Sequence, residues 1–109
     1  MSTQQLSTNA LHQGHDVAAT QGTRSVPIFQ STAYVFKDSD HAAKLFSLAE
    51  PGYIYTRLNN PTVDVLEQRI AALEGGLAAV ATASGTSALS TAILVLLKAG
   101  DHIVASNSL

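Results

Sequence analysis

The chain has 109 residues, of which 46% are hydrophobic and only 13% charged, with a net charge of −2 and no cysteine. Ordinary domains carry about 25% charge, so much of this apolar surface is expected to pack against protein outside the sequence. No basic patch suits nucleic acid, disulfides and thiolate chemistry are excluded within this piece, and the longest apolar run, Ala88 to Leu97, is broken by Ser90 and Thr91 and too short to span a bilayer.

The first residues, Met1 to Leu6, lack the basic and apolar blocks of a secretion signal. Residues 1–37 show no sustained period and contain one strand-like run, Ala33 to Phe36. Pro27, Ile28, Phe29, Tyr34 and Phe36 are unusual in a disordered segment, so this stretch reads as an arm that packs on something else. Asp38-Ser39-Asp40 opens a predicted helix that runs to about Ala49, and Pro51-Gly52 ends it. Tyr53 to Leu58 then reads as extended. Asn60 caps a second predicted helix, with Pro61 in its first turn, where a missing N–H costs nothing. Val63, Leu66, Ile70 and Leu73 form one helical stripe, and Gly75-Gly76 supplies the stop.

The remainder predicts a β-α-β unit. Leu77 to Thr82 is an unalternating apolar run, the pattern of a strand buried on both faces of a parallel sheet. Ala83-Ser84-Gly85-Thr86-Ser87 is a small-residue turn, Ala88 to Lys98 an apolar helix with Leu94, Leu96 and Leu97 as core, and Ile103 to Ala105 a second strand. The crossover should be right-handed. The fold class is therefore α/β. The sequence reads as a fragment that begins at a true start and stops after its second core strand.

Two places carry candidate chemistry. The turn from strand to helix presents N–H groups with no intrahelical partner, at the positive end of the helix dipole, which suits an anion such as phosphate. Gly85 permits close approach, and Ser84, Thr86 and Ser87 offer hydroxyls. The same residues would also serve a turn that is small merely to be tight. The pattern is neither a Walker loop nor a dinucleotide fingerprint. Arg57 can grip a phosphate bidentately and Tyr55 can add a donor, although, taken alone, these residues read better as a surface arginine beside a packing tyrosine. His12 and His15 are the nearest approach to a metal pair, with no third ligand evident. His41 and His102 read as helix-start and strand-start residues, and Asp16 and Asp64 as solvated or capping. Lys37, Lys44 and Lys98 lie in no catalytic setting, so no catalytic residue and no metal site is assigned.

Four blocks in order, Tyr55-Thr56-Arg57-Leu58-Asn59-Asn60-Pro61-Thr62, Leu66-Glu67, Ala72-Leu73-Glu74-Gly75-Gly76 and Ala81-Thr82-Ala83-Ser84-Gly85, resemble the Cys/Met-metabolism family of pyridoxal-phosphate enzymes. The arm joins the match through Ala10-Leu11-His12 and Val26 to Tyr34. The lead from His41 to Ile54 is similar to that of the O-acetylhomoserine sulfhydrylase branch. The resemblance implies an arm over residues 1–60 that packs on a neighbouring subunit. Residues 61–109 then start the large domain of a fold-type-I pyridoxal-phosphate transferase. It implies that Tyr55 and Arg57 bind the cofactor phosphate of the neighbouring subunit, while Gly85 and Thr86 donate backbone N–H groups to their own subunit's phosphate and Ser84 shapes the turn. Thr86 stands where the family often has methionine, a change that leaves a backbone contact intact. The implied reaction is γ-replacement on O-acetylhomoserine by sulfide or a thiol, giving homocysteine or methionine plus acetate. It belongs to transsulfuration and methionine biosynthesis, in a cytoplasmic homotetramer whose active sites are shared between subunits. The cofactor-bearing lysine is expected beyond Leu109. Cystathionine γ-synthesis, a methionine or cystathionine γ-lyase, or a non-catalytic phosphate-binding or docking fragment would use the same residues.

Overall fold

A computed structural model describes residues 3–108 of the chain. It holds four helices: α1 Thr3–His12, α2 Ser39–Phe46, α3 Pro61–Glu74 and α4 Gly85–Leu96.

Helix α1 forms where the sequence shows no period. Its Leu6 and Leu11 remain exposed, so no apolar stripe announces it. Its support is tertiary, because α1 packs on α3. The Arg69 side chain on α3 donates to the Gln13 carbonyl at 3.0 Å, just past the helix end. Gly14 then turns the chain with φ +80, and a Cβ there would lie 2.9 Å from the Val65 carbonyl oxygen. Conformation and close approach both require glycine at this point.

Helix α2 starts as predicted. Asp38 is its N-cap and accepts from the His41 N–H at 2.7 Å. It ends at Phe46, short of Ala49, because Leu48 enters the left-handed region at φ 59 and the N–H of Ala49 closes back on the Lys44 carbonyl at 2.9 Å. Leu45 is 3% exposed and lies against Gly52, where a Cβ would meet its Cδ2 at 2.7 Å. Phe36 packs on Phe46 with ring centroids 6.0 Å apart.

Helix α3 follows the local signals closely. Asn60 is the N-cap, Pro61 occupies the first turn and Gly75 ends the helix in the left-handed region at φ 68. Ala71 is its buried residue, whereas Val63, Leu66 and Ile70 of the predicted stripe stay partly open.

The predicted extended stretch Tyr53 to Leu58 stops early. Ala33 and Tyr55 form an antiparallel bridge, with Tyr34 N–H on the Ile54 carbonyl at 3.2 Å and Thr56 N–H on the Thr32 carbonyl at 2.9 Å. The chain then turns through Thr56-Arg57-Leu58, and the Leu58 and Asn59 N–H groups both reach the Tyr55 carbonyl, at 2.8 and 3.2 Å.

The two predicted β-α-β strands run without helix, but no ladder joins them among the described residues. Leu77 and Val104 are fully exposed. One polar contact stands in for a strand partner: the Ala81 N–H donates to the Glu67 carboxylate at 2.7 Å. Helix α4 begins three residues before Ala88 and ends at Leu96, two residues short of Lys98, with Leu97 as its cap. It buries no residue and packs on no other helix among the described residues. Leu94 and Leu96, expected as core, are therefore exposed. The radius of gyration is 17.6 Å, against about 13 Å for a compact domain of this length.

Candidate functional site

Asn60 organises the ground on which the first candidate group stands. It is 4% exposed. Its Oδ1 accepts from the Thr62 N–H at 2.9 Å, which caps α3. Its Nδ2 faces the Phe29 carbonyl at 2.9 Å, the Tyr34 hydroxyl at 3.1 Å and the Thr56 hydroxyl at 3.1 Å. Thr62 adds two more ties to the arm. Its hydroxyl donates to the Pro27 carbonyl and accepts from the Phe29 N–H, each at 2.9 Å. The start of α3 thus grips residues 27–34 from two side chains. The sequence marked Asn60 as a cap, but nothing local showed that its amide reaches back 31 residues.

Tyr55 and Arg57 sit immediately beside this anchor, both exposed. The guanidinium carbon of Arg57 lies 5.3 Å from the centroid of the Tyr55 ring, a cation–π stack. Arg57 makes no ion pair among the described residues, so its five donors are available to an anion.

The second group forms the start of α4. Ser84 is the N-cap, and its hydroxyl accepts from the Ser87 N–H at 3.1 Å. The Thr82 hydroxyl donates to the Ser84 carbonyl at 2.9 Å and steadies the approach. Gly85 and Thr86 are the first two helical residues rather than a turn, and their N–H groups lie before the first intrahelical bond, from Ala88 to the Ser84 carbonyl. No acidic residue lies in the first turn, and nothing stands within 4 Å of a Cβ built at Gly85. Two outward N–H groups, the helix dipole, an open approach and nearby hydroxyls fit a phosphate dianion. Arg57, with Tyr55 stacked on it, fits the same chemistry.

The two groups are not merged into one site within this chain. Arg57 shares a cleft of about 360 Å³ with Thr56, Asn60, Glu67 and Ala81 to Ala83, which brings it to the residue before Ser84. Tyr55, Ser84, Gly85 and Thr86 lie outside that lining.

Other residues resolve as follows. Helix α1 ends at His12, and His15 lies beyond Gly14 with its Nε2 2.9 Å from the Thr20 hydroxyl, so the two histidines share no helix face. Asp16 receives the Ala18 and Ala19 N–H groups at 2.9 and 3.2 Å. Asp64 accepts from the Tyr53 hydroxyl at 3.0 Å and from the Gln68 amide at 2.8 Å. Burial, the bond to Asp64 and the charges of Asp64 and Tyr34 push the Tyr53 hydroxyl up to about 12. Nothing local in the sequence marks Tyr53 for this role. No helix among the described residues is long and apolar enough to cross a membrane.

Known proteins match this chain closely in sequence and fold. A model of the family described as Cys/Met metabolism PLP-dependent enzyme matches residues 7–109. An O-acetyl-L-homoserine sulfhydrylase from Leptospira meyeri is 62% identical over 94% of this chain and 23% of its own length. A homocysteine synthase from Schizosaccharomyces pombe is 58% identical over 91% of this chain and 23% of its own. A Campylobacter jejuni structure described as an O-acetylhomoserine (thiol)-lyase, carrying N'-pyridoxyl-lysine-5'-monophosphate, superposes with a TM-score of 0.83 at 48% identity. That match covers 88% of this chain and 24% of the solved one. The α/β fold therefore holds as a shared fold, although no ladder forms within the described residues. The chain spans 23% of the length of the two curated relatives named here.

Proposed function

Because the chain belongs to the Cys/Met-metabolism family of pyridoxal-phosphate-dependent enzymes, we propose that the full-length protein replaces the acetoxy group on the γ-carbon of O-acetylhomoserine with the sulfur of sulfide or methanethiol, giving homocysteine or methionine plus acetate. The observation that supports this most is the 62% identity, over 94% of the chain, to a protein named for that activity. Bound pyridoxal phosphate supplies the electron sink that lets acetate depart from the γ-carbon. This chain's residues supply the phosphate grips. The Gly85 and Thr86 N–H groups, shaped by the Ser84 cap, hold the phosphate of their own subunit. Tyr55 and Arg57 reach the phosphate of a neighbouring subunit. The cofactor-bearing lysine lies in the part of the protein beyond the matched quarter.

The proposal extends to organisation. Residues 1–60 act as the arm and residues 61–109 as the start of the large domain. The protein works as a homotetramer in the cytoplasm, in methionine biosynthesis through sulfur transfer. A shared site has a direct test. An Arg57→Ala variant of the full-length protein is mixed with a variant lacking the cofactor-bearing lysine, and the two are refolded together. Each is weak alone, and hybrids with one intact site should regain activity. No regain in hybrids of verified composition would contradict the shared site.

A further inference from the structure

Thr56 lies between the two proposed phosphate ligands and is exposed as they are, but its hydroxyl is bonded to the arm and to the start of α3. Its hydroxyl donates to the Ser31 carbonyl. A hydroxyl has one hydrogen and two acceptor positions. With that hydrogen given to Ser31, the other two neighbours must donate to Thr56. They are the Asn60 amide at 3.1 Å and the Tyr34 hydroxyl at 3.4 Å. The hydroxyl is thus fully used. Its backbone N–H is also tied, to the Thr32 carbonyl at 2.9 Å. The three earlier residues that it touches, Ser31, Thr32 and Tyr34, flank the Ala33–Tyr55 bridge.

Arg57 has no comparable ties of its own. Among the described residues its side chain makes no ion pair, and its guanidinium stacks on the Tyr55 ring. Its direction is therefore set by the main chain that Thr56 anchors. We propose that Thr56 is a positioning residue, held by Asn60 and Tyr34, that aims Tyr55 and Arg57 at the cofactor phosphate and couples that aim to the docking of the arm. The inference rests on the phosphate reading of Tyr55 and Arg57 above.

The test uses the full-length protein freed of cofactor. Binding of pyridoxal phosphate and of pyridoxal, which lacks the phosphate, is measured by equilibrium dialysis for the wild type and for T56V, T56S, Y34F and R57A. Losing one hydrogen-bonded anchor should weaken pyridoxal phosphate about tenfold in T56V and leave pyridoxal within about twofold. T56S keeps the hydroxyl and should bind like the wild type. Y34F removes one donor to Thr56 and should shift the same ratio in the same direction by less. That variant carries the test if T56V fails to fold. Equal weakening of both ligands would make Thr56 a structural residue only and overturn the proposal. Unchanged pyridoxal phosphate binding in T56V, with R57A weakened, would also overturn it. An unchanged R57A would sink the phosphate reading itself.

Discussion

Replacing Asn60 with alanine should release the arm and fray the start of α3 together. The side chain is 4% exposed, so water does not already compete for its bonds. Losing the cap on the Thr62 N–H costs about 1 kcal/mol. The amide has two hydrogens shared among three acceptors, so it makes two bonds at a time, each contributing about 0.5–1.5 kcal/mol. The sum is about 2–4 kcal/mol, which raises local opening by about 30-fold or more. Hydrogen exchange on the full-length protein reads this residue by residue. In Asn60→Ala, the amides of Thr62, Phe29 and Thr56 should all lose protection. Asn60→Asp keeps an acceptor for Thr62 but turns a carboxylate toward the Phe29 carbonyl. It should expose the Phe29 and Thr56 amides while Thr62 stays protected. If the Phe29 and Thr56 amides changed by less than about threefold in Asn60→Ala, the tether would carry no appreciable energy and the reasoning would fail.

Other outcomes follow from the same geometry. Arg57→Ala should lose cofactor on dialysis, with affinity down about 10- to 100-fold for a charge-assisted pair, and full retention would refute the grip. Gly14→Ala combines φ +80 with a Cβ 2.9 Å from the Val65 carbonyl. It should therefore destabilise by more than the roughly 1 kcal/mol of strain alone, read as a lower denaturation midpoint. A tyrosine held near pKa 12 in the folded state, against 10.0 ordinarily, contributes stability that is complete below pH 10 and is lost as pH rises toward 12. Absorbance titration should show a late phenolic step that Tyr53→Phe removes; completion of all titration by about pH 11 would count against it. The isolated 109-residue chain, with α4 and both extended segments uncovered, should self-associate and bind hydrophobic dyes. A monodisperse, cooperatively unfolding monomer would refute that.

Elements set by neighbouring residues could be read from the sequence. Asp38, Asn60 with Pro61, and Gly75 each act within one helical turn, and each sits where the residue types indicated. Ser84 marks the right corner, but Gly85 to Ser87 read as turn in the sequence because small polar residues favour loops and caps alike. The structure recruits them into α4 through the Ser84–Ser87 bond. Features set by distant residues were hidden. Helix α1 has no apolar stripe and rests on Arg69 and Val65, more than 50 positions later. The turn over Thr56 to Leu58 contains neither glycine nor proline. Its direction comes from Ser31, Thr32 and Asn60. For the strands, the apolar pattern of residues 77–82 was visible. Pairing is non-local, and within these residues the segment finds only the Glu67 carboxylate. The site shows the same division: the donors were legible as residue types, and the network that orients them was not.

The most direct measurement is homocysteine formation from O-acetylhomoserine and sulfide by the natural full-length protein, after dialysis, with and without added pyridoxal phosphate. The expected result is homocysteine and acetate in equal amounts, dependent on the cofactor. Cofactor-loaded protein that releases no homocysteine would contradict the proposed reaction.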